Sequence, residues 1–201
     1  MATQYGSWGS IHSNKANYRV YITYNITETA DSYTVNLTEI GVQAYSKTYD
    51  TINFVGTWSV LVNGVSVWSQ GQSGTEIPTD KDGVTRGNFI ARLTGLSKTF
   101  SKTHSSQSVT VKIQGSNIAI YTFSTSGGTT TITGRSPNTT AYATVNPKTS
   151  YTISFNLQGG SGSFGNLTKW YNEPLTIHSG KPTRTNYTFN NWKIRNTSTT
   201  V

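Results

Sequence analysis

The sequence predicts an all-β protein whose N-terminal part is an immunoglobulin-like antiparallel β-sandwich. Three observations carry this reading. Apolar and polar residues alternate with period two along most of the 201-residue chain, as in strands that bury one face. Turn residues separate the runs at the spacing of a sandwich. Thr, Ser and Asn together make up roughly 38% of the residues, which favours strands and turns, because Thr is β-branched while Ser and Asn compete with a helical backbone for hydrogen bonds. A helical protein is excluded on that ground. The 5 Trp, 12 Tyr and 7 Phe supply large surfaces for burial, so disorder is a poor fit to the same polarity.

In chain order, Val20, Ile22, Tyr24 and Ile26 alternate with Arg19, Tyr21, Thr23 and Asn25 in a first long strand. In the next, Tyr33, Val35 and Leu37 hold one phase and Ile40, Val42 and Ala44 the other, so a β-bulge near Thr38-Glu39 is needed to keep one face inward. Trp58 to Ser69 reads as a hairpin turning at Asn63-Gly64, a pair suited to the positive φ angles of a type I′ turn. That turn sets Val62 opposite Val65, Val60 opposite Val67 and Trp58 opposite Ser69, and puts Trp58 and Trp68 on opposite faces. Residues 71–88, rich in Gly, Pro and Asp, read as a long loop. Val109, Val111 and Ile113 form one later strand, Ile118 to Phe123 another, and Thr129 to Thr133 and Thr140 to Val145 two more. Lys98, Phe100 and Lys102 share a face, as on an edge strand guarded by lysine. Pro147-Lys148 divides the chain into a domain at 1–147 and a shorter unit at 148–201.

The charge is uneven. The formal net charge is +8, yet residues 1–82 hold 4 basic and 7 acidic residues while residues 83–201 hold 12 basic and 1 acidic. The basic residues of the second part stand singly, without an RNA-binding motif, so nucleic acid is not an expected partner. An anionic polymer such as teichoic acid or an acidic cell-wall polysaccharide is physically as good a match. The chain has no cysteine, hence no disulfide and no thiolate metal site. The opening, Met1-Ala2-Thr3-Gln4-Tyr5-Gly6-Ser7-Trp8, lacks the basic and apolar regions of a signal peptide, and no stretch approaches a membrane span.

Chemistry-bearing motifs are few. Glycoside hydrolysis needs two facing carboxyl groups, and the nearest pairs, Glu28/Asp31 and Asp80/Asp82, lie in turn-like sequence. His12, His104 and His178 are isolated. Gly160-Ser161-Gly162-Ser163-Phe164-Gly165 lies in a glycine-rich loop whose G-x-G-x-x-G spacing has no following helix or acidic partner, and Asp80-Lys81-Asp82-Gly83 lacks the remaining ligands of a calcium loop. The expectation is a non-enzyme with no catalytic, cofactor or metal residues. Among the aromatics able to stack on a sugar ring, Tyr5, Trp8, Trp58, Trp68, Trp170 and Tyr171, the ones singled out for glycan or partner contact are Trp68, Trp170 and Tyr171.

The C-terminal segment carries a more specific pattern: Tyr151 to Gly160, with Ile153, Phe155 and Asn156, then Tyr171-Asn172-Glu173-Pro174-Leu175, then Lys181-Pro182 through Tyr187, Phe189 and Trp192. This resembles the Listeria–Bacteroides repeat, or internalin B-repeat. The family has glycine where this chain has Asn186 and Asn191, and asparagine is the next best residue for a left-handed backbone. The resemblance implies a small β-grasp-like module with a spacer or binding role and no catalytic residues. Residues 1–147 are similar, more weakly, to minor structural proteins of siphophages, through Tyr5-Gly6-Ser7-Trp8-Gly9-Ser10, the strand Tyr18 to Ile22 and the tryptophan hairpin. Together they imply a phage virion protein, assembled in the host cytoplasm and exposed on the particle, with other virion proteins and further copies of itself as partners. A tail tip or baseplate is the first location and a head fibre or capsid decoration the second. A bacterial surface adhesin and a carbohydrate-binding module are the alternative classes.

Overall fold

A computed structural model describes residues 1–125 and 128–195. Among the described residues there is no helix, and every strand pairing is antiparallel. The strands are β1 (Ala2–Tyr5), β2 (Gly9–Ile11), β3 (Ala16–Glu28), β4 (Ser32–Ser46), β5 (Thr51–Val62), β6 (Val65–Pro78), β7 (Arg86–Arg92), β8 (Ser97–Ser101), β9 (Gln107–Ser124), β10 (Gly128–Arg135), β11 (Asn138–Val145), β12 (Ser150–Ile153) and β13 (Leu167–Trp170). One sheet runs β1-β3-β4-β7, with β2 also on β3 and β8 also on β4. A second runs β10-β9-β5-β6, with β11 also on β9, and β12 pairs β13 in a separate hairpin.

The two large sheets bury their inner faces against each other. Val20, Ile22, Val35, Leu37, Ile40 and Val42 come from the first, and Ile52, Phe54, Trp58, Val60, Val111, Ile113, Ile118 and Ile120 from the second, all in one core cluster. Tyr18 meets Phe54 across the layers at 5.5 Å between ring centroids, and the Asn63 amide donates to the Tyr33 hydroxyl at 2.8 Å. Each such aliphatic side chain contributes roughly 1.5–3 kcal/mol of burial, so this cluster is the main source of stability. The bulge expected near Thr38 is present: Thr23 faces Glu39 and Tyr24 faces Leu37, leaving Thr38 as the extra residue. It lets residues on both sides of the slip point inward.

Four local expectations are corrected. The hairpin does turn at Asn63-Gly64, with φ of 50° and 78°, and Val62 does face Val65. Beyond that Val60 pairs with Trp68 and Leu61 with Ser66, so Val67 is a bulge residue and Trp68 shares the inward face of Trp58. Trp68 is only half-buried because β6 is an edge strand. Residues 71–78 and 86–88 are strand and not loop; glycines are tolerated on an edge, and a Cβ at Gly74 would stand 2.8 Å from Asn53 Oδ1, so the Asn53 amide would have to move to admit one. Residues 109–123 lie within the single strand β9, which carries an extra residue opposite Gly56 and a left-handed Asn117 (φ 52°) where the sequence reading placed a break. β8 is an edge strand, as expected, and Lys98 on it is exposed; the lysine guard is incomplete, because Phe100 stacks inward on Tyr33 at 5.4 Å and Lys102, just past the strand, is buried.

The C-terminal segment begins where Lys148 N–H donates to Thr103 O and Thr149 N–H to Ala30 O. Past the β12–β13 hairpin, Ser161 and Thr183 form an isolated bridge. Phe155, Phe164, His178 and Phe189 gather around Trp192, with Phe155, Phe164 and Phe189 centred 4.9, 5.2 and 5.1 Å from it. All five rings are only half-buried. Asn186 is left-handed (φ 62°), whereas Asn191 is not among the left-handed residues.

Candidate functional site

Strand alternation decides what the outer face of the first sheet displays. With Val20 and Ile22 inward on β3, Arg19 and Tyr21 point out; with Ile40, Val42 and Ala44 inward on β4, Gly41, Gln43 and Tyr45 point out. The register then aligns Tyr5, Tyr21, Gly41 and Phe89 in one row across β1, β3, β4 and β7. Gly41 is required there, because the Tyr21 ring lies over it and a Cβ would stand 2.4 Å from the Tyr21 hydroxyl. Burial pushes the Tyr21 hydroxyl up to about 12, helped by Glu39, so it stays a neutral donor.

Arg19 organises this face. Its Nε donates to Gln43 Oε1 at 2.9 Å, while its guanidinium carbon sits 4.2 Å from the Tyr5 ring centre and 4.6 Å from that of Trp8. Trp8 in turn meets Tyr45 edge-on at 5.2 Å and 74°. Tyr5, Trp8 and Phe89 remain 40%, 40% and 39% exposed. An outer sheet face is ordinarily polar, so a fixed array of open rings is a departure of the kind that marks interaction surfaces.

Shallow depressions flank the Trp8–Tyr45 contact. On the Tyr45 side, Ser13, Asn14, Lys15, Asn17, Lys47 and Thr48 line a space of about 550 Å³. On the Trp8 side, a smaller space of about 240 Å³ is bounded by Ser7, Tyr18, Arg19, Ser136, Pro137 and Asn138, among others. The loop entering the first is unusual: His12, Ser13 and Asn14 are all left-handed, with φ of 45°, 56° and 72°, a conformation costly for residues other than glycine. Asn14 N–H donates to Ser10 Oγ at 2.9 Å, and the His12 ring packs on Tyr49.

The sequence candidates for contact lie elsewhere. Trp68 packs against the core. Trp170 is covered by His104, whose ring is parallel to it within 5° at 4.1 Å. His104 Nε2 also meets the Glu173 carboxylate at 3.0 Å, and Lys148 Nζ donates to Glu173 Oε1 at 2.6 Å. These two bonds, Lys148 first, hold the Glu173 carboxyl below its usual value. Tyr171 is 41% exposed beside this cluster. The structure therefore brings Trp170 and Tyr171 to the start of the C-terminal segment, and Trp68 to a strand edge, without joining them to the aromatic face. Arg19, Tyr21, Tyr45 and Phe89 were missed; the phase of β3 and β4 could have found the first three, whereas Phe89 joins the row only through the pairing of β7 with β4.

The carboxylate pairs considered for catalysis are engaged. Arg86 binds Asp80 at 2.8 Å and Asp82 as well, and Val84 N–H, then Arg86, hold Asp82 below its usual value. Glu28 is bound by Lys102 at 2.8 Å and by Asn146 N–H at 3.0 Å. Among the described residues no three His, Asp or Glu side chains are grouped to hold a metal ion. The chain matches no family model, no curated protein and no solved structure.

Proposed function

We propose that the chain is a non-enzymatic structural protein of a bacteriophage particle, acting in assembly and host-surface attachment. In this reading residues 1–147 form an immunoglobulin-like sandwich that docks into the particle, and residues 148–201 form a β-grasp-like module that projects from it. The observation that carries the reading is the joining of a surface-repeat pattern at 151–192 to a layered β body. That joint is fastened by more than the chain: the His104–Trp170 stack and the Lys148–Glu173–His104 pairing supply it. A fastened module suits a protein that must hold a binding surface away from a particle. Repeated copies on a symmetric particle would turn weak contacts into avidity. The tail tip or baseplate is the proposed position.

Gold-labelled antibodies against the purified chain test this by electron microscopy of intact particles. Label at the tail end is the expected result. Label on the head would move the protein to a capsid decoration, and particles without label would overturn the proposal.

A further inference from the structure

The geometry points to a glycan-binding site at Trp8, Tyr45, Lys15 and Lys47, selective for a sugar or polyol chain linked by phosphodiesters. It rests on the attachment reading and names the ligand and the place. The ring faces of Trp8 and Tyr45 are fixed before any ligand arrives, Trp8 by the Arg19 guanidinium and Tyr45 by Trp8 itself, so little order is lost on binding. Half-open rings accept the apolar C–H face of a sugar. Beside them Asn14, Asn17 and Thr48 offer amide and hydroxyl groups to sugar hydroxyls.

Charge sets the ligand class. Residues 1–82 carry only 4 cations against 7 acids, yet two of those four, Lys15 and Lys47, line the larger depression, and a third, Arg19, lines the smaller one across the Trp8–Tyr45 contact. Lys81 is instead paired with Asp50 at 3.1 Å. No carboxylate lines the larger depression, and among the described residues neither Lys15 nor Lys47 has an acidic partner. A cationic end beside an aromatic ridge complements an anionic linkage next to a sugar ring. A single-stranded nucleic acid also combines rings with phosphate, but its sites track the backbone with a longer run of cations, and here two lysines serve one depression. The left-handed turn His12-Ser13-Asn14 holds Lys15 at its rim, which is strain placed where a ligand would meet the chain.

The test is calorimetric titration of the full chain with glycosylated poly(ribitol phosphate), a neutral glucan of similar length and a single-stranded oligonucleotide. Expected is binding to the phosphate polymer that weakens with added salt. Trp8→Ala, and separately Lys15→Gln with Lys47→Gln, should each lower affinity roughly tenfold or more, while Tyr142→Ala on the other sheet leaves it unchanged. The lysine variant lies on the surface and keeps the test open if Trp8→Ala fails to fold. Equal binding to the neutral glucan, preference for the oligonucleotide, or affinity unmoved by the lysine variant would overturn the inference. A chain found in particles that binds no polymer sinks the site alone; a chain that binds but is absent from particles sinks the virion reading alone.

Discussion

Lys102 shows how a single residue can belong to a different part of the structure than its sequence neighbourhood implies. Its side chain is 4% exposed, with Nζ donating to Glu28 at 2.8 Å and to the Thr29 carbonyl at 2.8 Å. It ties the end of β8 to the β3–β4 turn, and Glu28 extends the link to Asn146 after β11. The Glu28 end is open to solvent, so Lys102→Ala removes mainly the buried lysine stem and its bond to the Thr29 carbonyl, without stranding a charge. Lys102→Ala is therefore expected to cost about 1–2 kcal/mol of unfolding free energy in urea, whereas a change at an exposed side chain such as Lys98→Ala should fall within about 0.5 kcal/mol. The Lys102 hydrogen bond, then the bond from Asn146, lowers the Glu28 carboxyl below its ordinary 4.5. A carboxyl depressed in the folded state stabilises above its unfolded value, and that stability is lost as pH falls below about 4.5 and through the folded value. Thermal melts between pH 7 and 3 should thus show an acid-induced loss that is smaller in Glu28→Gln. An identical pH profile in the variant would show that the pairing has no energetic weight.

At the level of elements, β9 is held along its length by β5 and divided on its other edge between β10 and β11. The bend that allows this division lies at Gly115 to Asn117. A Cβ at Gly115 would stand 2.6 Å from Ile118 Cγ1 and 3.0 Å from the Trp58 ring. Gly115→Ala should then cost about 1–3 kcal/mol by overpacking, read as a lower denaturant midpoint at unchanged slope. A midpoint like that of the parent would mean Ile118 and Trp58 can move aside. Much of this layer was legible in the sequence: the alternation of Val35, Leu37, Ile40 and Val42 demanded a bulge at Thr38, since both phases are apolar. The bulge at Val67 was not legible, because Val67 and Trp68 are both apolar and either can face inward. Gly71 and Gly74 read as turn residues, yet they lie on an edge strand where backbone pairing decides. The aromatic outer face was half legible. Phase gives the direction of Arg19, Tyr21 and Tyr45, but their convergence with Trp8 depends on register between strands distant in sequence.

For the whole molecule, the uneven charge of the sequence takes a spatial form. Acids of the first part are met by neighbours, Asp80 and Asp82 by Arg86 and Asp50 by Lys81, while Glu173, the one acid after residue 82, sits where the C-terminal segment leaves the sandwich-like body. Trypsin cleaves after lysine, and Lys148 is held there by Glu173. Glu173→Ala should speed cleavage at Lys148-Thr149 and release the body as a stable fragment; an unchanged rate would mean that the stack and the backbone bonds alone secure the segment. The strand-rich fold, the open aromatic face and the fastened C-terminal segment fit a protein that works by binding within a particle. Quantitative mass spectrometry of density-purified phage particles tests that most directly. Peptides from both 1–147 and 148–201, in a fixed ratio to known virion proteins, are the predicted result. A chain abundant in the lysate but absent from the particles would show that it is not a structural protein of the virion.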